Sequence, residues 1–136
     1  MSAMSDYLEN ELIKHLFRTG SMTKPSVLAV GLFTGAPSDS GGGTEVSGGS
    51  YARASLNPLD ANWAATSGSN GQTSNSSAIT FPTPTASWGT VTHFAIFDAT
   101  SAGNMLFWGV LTASKSINNG DPAPSFPGGT LVVTLA

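Results

Sequence analysis

The chain has 136 residues, enough for one domain with a real core and too few for two. Only 10% of them are charged, against ~25% in an average globular domain, and the net charge is −3. Five basic residues under a net negative charge exclude a counterion-displacing nucleic-acid surface, and the lack of cysteine excludes disulfides and thiolate metal sites.

Glycine, serine and threonine supply the polarity that charge does not. Covering such a surface requires few charges to be desolvated, so it suits association with other protein. No apolar run approaches the ~18–20 residues of a membrane span. Asp6, Glu9 and Glu11 interrupt any signal-peptide pattern at the N-terminus, and synthesis in a cytoplasm is the expectation.

Ser5 is placed to cap a helix, with Asp6 and Glu9 in the first turn where the helix dipole favours acids. Leu8, Leu12, Ile13, Leu16 and Phe17 recur at helical period opposite Asn10, Glu11, Lys14 and Arg18. An amphipathic helix over residues 6–18 is predicted, closed by Gly20 at the C′ position. Its apolar face docks either on its own domain or on a neighbouring subunit. Residues 1–20 are thus a helical arm, and 21–136 a single β-domain.

Val27 to Thr34 is apolar on both faces, as a buried central strand is. Residues 35–50 then read as a flexible loop, and Gly41–Gly43 is no phosphate loop, since neither a Lys-Ser/Thr pair nor a helix follows. Strands are predicted at 51–56, at 62–64 and at 78–81, and residues 66–77 between the last two read as a polar, low-complexity loop.

Residues 88–112 carry two of the three tryptophans, together with Phe94, Phe97 and Phe107. They read as a hairpin around a short Ala-Thr-Ser-Ala-Gly loop and as the centre of the core, with Trp88, Phe94, Ile96, Leu106 and Trp108 buried. Short strands at 113–117 and 130–135 follow. The sum is a mainly β chain: an antiparallel, jelly-roll-like sandwich of about seven or eight short strands with one N-terminal helix.

Candidate chemistry finds no context. His15 and His93 lack partners at ligand spacing, and His93 and Asp98, five apart, point to opposite faces of a regular strand. Ser67 to Gly71 only imitates a nucleophile elbow, with no helix after it. Asp39, Glu45, Asp60, Asp98 and Asp121 all lie in or beside turns, where acids cap backbone groups. No catalytic residue, cofactor site or metal site is assigned, and no enzymatic activity is expected. Trp63, Trp88 and Trp108 are candidate sugar-stacking platforms, although Trp88 and Trp108 each precede a glycine and suit the core.

Six segments resemble a family of small proteins encoded by tailed bacteriophages. They are residues 7–20 (YLENELIKHLFRTG), 51–53 (YAR), 79–82 (ITFP), 88–98 (WGTVTHFAIFD), 103–109 (GNMLFWG) and 111–115 (LTASK). Members of this family are often labelled tail-fibre proteins, and related small β-domains decorate capsids as cement proteins. The resemblance spans nearly the whole chain and implies a virion protein. It brings no catalytic motif with it.

The leading expectation is a capsid decoration protein on the outer surface of the head. It would form a homotrimer bridging copies of the major capsid protein, with no nucleic-acid or membrane partner. Leu8, Leu12, Leu16, Phe17, Tyr51, Arg53 and Trp63 are the expected contact residues. The alternatives are a tail or fibre component that recognises host glycan and, behind it, a small hydrolase.

Overall fold

The computed structural model describes residues 2–66 and 69–135. Within them the chain is mainly β, with antiparallel sheets in a sandwich-like arrangement and a single N-terminal helix. The main sheet is built on β2 (Ala29–Gly35), β7 (Gly89–Phe97) and β8 (Met105–Ile117). β1 (Ser2–Met4) borders β8, while β3 (Thr44–Glu45) and β4 (Ala54–Ser55) share the outer edge of β2. Two ribbons complete the fold: β5 (Gln72–Ser74) with β10 (Val132–Thr134), and β6 (Ile79–Thr80) with β9 (Ser125–Phe126).

β2 is central as its two-faced apolarity predicts, with every residue from Ala29 to Phe33 buried. The aromatic hairpin also forms, but its second arm is one unbroken strand of 13 residues, where two strands were expected. β7 does not alternate strictly. Val91 and Phe94 both enter the main core although three residues apart, because the register shifts between Val91 and His93. One extra residue in a strand flips the faces beyond it, so this bulge keeps both ends of β7 useful to the core.

The main core joins Val30, Leu32, Val91, Phe94 and Ile96 of the sheet to Ile79, Phe81, Leu131 and Val133 of the ribbons. Phe126 meets both Phe81 and Phe94 edge-on, each at a centroid distance of 6.1 Å. A smaller cluster of Phe33, Ala95, Phe97 and Met105, with Trp108 packed against it, occupies the opposite face of the sheet. Of the expected core residues, Trp88, Phe94, Ile96 and Leu106 are buried, whereas Trp108 is half-buried. The Trp88 indole covers Gly49, not the following Gly89: its Nε1 donates to the Gly49 carbonyl at 2.9 Å. Gly49 has a φ of +56°, and a Cβ there would lie 2.9 Å from Trp88 Nε1, so the approach requires glycine.

Three expectations need correction. Residues 35–50 do not form one open loop, because β3 pairs with β2 and Val46 beside it is buried in the main core. Residues 66–77 do not remain unpaired, because Gln72–Ser74 aligns with β10 and Asn75 is fully buried; residues 67 and 68 of that stretch lie outside the described residues. Gly20 does not close the helix. The Arg18 N–H bonds the Lys14 carbonyl, and the chain leaves in an extended conformation.

Asn75 explains how a polar stretch comes to be ordered. Its Nδ2 donates to the Ser77, Phe126 and Pro127 carbonyls at 2.9–3.2 Å, and its Oδ1 accepts from the Leu131 N–H at 2.9 Å. One side chain thereby ties the β5 and β9 segments to the approach to β10. Replacing Asn75 with Ala leaves those buried backbone groups unpaired. A loss of about 2–3 kcal/mol in urea unfolding is expected, against less than about 0.5 kcal/mol for the neighbouring exposed Ser76→Ala.

Candidate functional site

Three features outside the core carry the contact residues singled out by the sequence: a closed polar clamp on the outer edge of β2, an open apolar arm and an apolar groove.

The clamp begins with a backbone requirement. β3 pairs at Phe33 and Gly35, β4 at Ala29 and Val30, and the Leu32 N–H falls between them with no strand partner. The Tyr51 hydroxyl accepts from that N–H at 2.9 Å and donates to Glu45 Oε1 at 2.9 Å. Glu45 takes Arg53 through both oxygens, with Nε and Nη2 each at 2.8 Å. The remaining guanidinium nitrogen reaches the Ala99 and Ala102 carbonyls of the hairpin loop at 3.1 and 2.8 Å. The guanidinium carbon also lies 3.5 Å from the centroid of the Phe97 ring, in a cation–π contact.

Burial drives the Tyr51 phenol well above its ordinary pKa of 10.0, and the neighbouring Glu45 carboxylate adds to the shift. The bond from the Leu32 N–H and the Arg53 charge act in the opposite sense. Tyr51 and Arg53 were expected at a partner surface, and the structure places their polar groups within this internal network. The Arg53 side chain is only 8% exposed.

The other singled-out acids are also engaged, with one exception. Asp98 holds Asn104 through both oxygens, at 2.7 and 2.9 Å, inside the hairpin loop. Gly103 in that loop has a φ of +75°, and a Cβ would come within 2.6 Å of Ala99 Cβ, so the loop demands glycine. Asp39 accepts from Trp108 Nε1 at 2.8 Å, and Asp121 caps the Asn118 N–H at 2.7 Å. Asp60 has no ion pair or hydrogen bond among the described residues. His93 contacts the Thr92 hydroxyl at 2.8 Å and lies beside Trp108, while His15 Nδ1 accepts from the Met22 N–H.

The arm is α1 (Asp6–Phe17), capped by Ser5 as predicted. Ser5 is fixed from two sides: its N–H donates to the Leu106 carbonyl at 2.9 Å and its hydroxyl donates to the Met105 carbonyl. The Asp6 N–H reaches the Asp39 carbonyl at 2.8 Å. The first turn is therefore locked to the sheet, and Leu8 is buried there. Leu12 is half-buried, and beyond it the apolar face is uncovered: Ile13 is 53% exposed, Leu16 67% and Phe17 77%. Thus Leu8 packs at home, whereas Leu16 and Phe17 remain available for contact.

Trp63 belongs to a third feature. Its Nε1 donates to the Leu56 carbonyl at 3.2 Å, and its ring lines an apolar groove of about 510 Å³. Leu28, Leu59, Asp60, Phe107 and Val133 also line it. Sequence reasoning missed this groove because its walls come from six separate segments of the chain.

The arm, the clamp and the hairpin include five of the six segments that stood out as family-like in the sequence, and residues 79–82 lie in and just after β6. Residues 3–134 match the family described as podophage GP4 fiber I protein gp80. The chain belongs to that family. It is a bacteriophage structural protein, a component of the virion. Comparison with curated proteins returns no match. Within the family-like Tyr-Ala-Arg segment, the chemistry is architectural: the tyrosine caps an orphan N–H and the arginine clamps the hairpin loop.

Two outcomes test the clamp. Arg53→Ala leaves Glu45 without its cation and the two loop carbonyls without their donor, so a loss of about 3 kcal/mol in denaturant unfolding is expected. Because folding raises the Tyr51 pKa, its contribution is fully present below pH 10.0 and is lost as pH rises through the folded value. Thermal melts should therefore fall more steeply above pH 10 in the wild type than in Tyr51→Phe.

Proposed function

We propose that this protein is a non-enzymatic assembly subunit of the phage exterior, held in place by burial of its helical arm. The observation that carries this reading is the uncovered row Ile13, Leu16 and Phe17 on a helix whose first turn is rigidly anchored. An isolated helix of this length is marginal in water, and its apolar face normally gains stability by packing. The acids that could have served chemistry are, with Asp60 excepted, engaged in loops and in the clamp.

One reading is a fibre component, part of an appendage, and the words of the family description support it. A second reading is a decoration protein on the outer surface of the head, a homotrimer bridging major capsid subunits. The low charge density favours this one, because a surface with 10% charged residues can be covered broadly at little desolvation cost. Repetition by symmetry would then multiply modest contacts into firm attachment. Neither position calls for a cofactor, nucleic acid or membrane.

Copy number separates them. Densitometry of purified virions should give some tens of copies for a fibre component and hundreds for a head decoration protein, with immunogold label on the tail or across the head respectively. Absence of the protein from purified particles overturns both. In either position, Leu16→Asp with Phe17→Asp should remove the protein from particles while leaving the melting temperature of the isolated domain nearly unchanged, since both side chains are exposed.

A further inference from the structure

We propose that the arm of one copy seats in the Trp63 groove of the next, so that the chain associates head to tail with itself. The inference rests on reading the arm as an assembly element, and it names the partner: a second copy of this chain.

The two surfaces match in size and in chemistry. The groove, about 510 Å³ with walls of Leu28, Leu59, Trp63, Phe107 and Val133, has room for the Leu16 and Phe17 side chains together. At its rim stands Asp60, which has no partner among the described residues. At the end of the arm, one residue beyond Phe17, stands Arg18, whose side chain likewise has no ion pair among the described residues. Lys14 is already taken by Glu11 at 2.8 Å. In a chain with so few charges, an unpaired cation beside an exposed apolar tip and an unpaired acid beside an apolar groove form a complementary pair.

The same molecule does not join them. The arm starts beside Phe97 and Met105, whereas Ile96 and Phe107, which line the groove, belong to the opposite face of the sheet. Ser5 and Asp6 fix the start of the helix by hydrogen bonds to Leu106, Met105 and Asp39. The sheet therefore stands between the start of a chain's own arm and its own groove, and the tip of the arm, at Leu16 and Phe17, stays exposed. A contact between two different patches of identical subunits is heterologous, and it closes into a ring or runs on as a filament. Either suits a component present in repeated copies on a particle.

The absence of native cysteine makes the test direct. One chain carries Thr19→Cys at the end of the arm and another carries Ala65→Cys at the groove, and a short bismaleimide is added. A cross-linked dimer is expected in the mixture and not from either chain alone. Sedimentation should show wild-type oligomers that Arg18→Asp and Asp60→Arg each weaken by about tenfold or more, with the double variant Arg18→Asp, Asp60→Arg restored towards wild type. A wild-type protein that stays monomeric up to ~1 mM overturns the inference. So does cross-linking of Thr19→Cys chains to each other, which would mean symmetric arm-to-arm pairing. A monomer whose Leu16→Asp, Phe17→Asp variant still drops out of virions overturns self-association alone and assigns the arm to another virion protein. Particles that lack the protein altogether fail the assembly reading itself.

Discussion

The outer edge of β2 is the constraint on which the rest of this structure turns. β2 is buried on both faces, so each of its backbone groups needs a partner from the neighbouring chain. On one side β7 supplies them in continuous register. On the other, two short strands leave a gap at the Leu32 N–H, and the Tyr51 hydroxyl fills it. Meeting that need draws Glu45, Arg53 and the hairpin loop into one connected network that spans the sheet from edge to loop. Buried polar networks are stabilising when complete and costly when broken, and this one is complete.

That inward use of charge shapes the outside of the molecule. The chain has eight acidic and five basic residues, and the loops and the clamp engage many of them. What remains outside is hydroxyl-rich surface with a few scattered charges, the apolar end of the arm and the apolar groove. A protein of this kind presents shape and apolar area to its surroundings more than it presents a field. Such a surface is consistent with a subunit that works through contact with protein.

Legibility followed locality. The helix and its Ser5 cap, the two-sided burial of β2 and the hairpin were all readable, because each depends on residues close in sequence with a clear period. The bulge in β7 was hinted at only by two consecutive polar residues, Thr92 and His93, between Val91 and Phe94, where strict alternation places one. β3, β5 and β9 were missed because each has only two or three residues and owes its conformation to a distant partner. The internal roles of Tyr51 and Arg53 were hidden for a related reason. A tyrosine and an arginine in a polar-looking segment read as surface until Glu45 and the loop at 99–102 are seen to meet them.

By itself the sequence determined a cysteine-free, charge-poor β protein with an amphipathic N-terminal helix and an aromatic hairpin at its core. Periodicity and composition act through neighbouring residues, and both are complete in one dimension. Tertiary structure alone decided which polar residues turn inward, that Asn75 orders a low-complexity stretch, and that the arm's apolar face is covered at Leu8 but bare from Ile13 onward. It also decided that Trp63 lines a groove on the far side of the sheet from the start of the arm. Those outcomes depend on contacts between segments tens of residues apart, where burial and backbone pairing are settled by the whole fold at once.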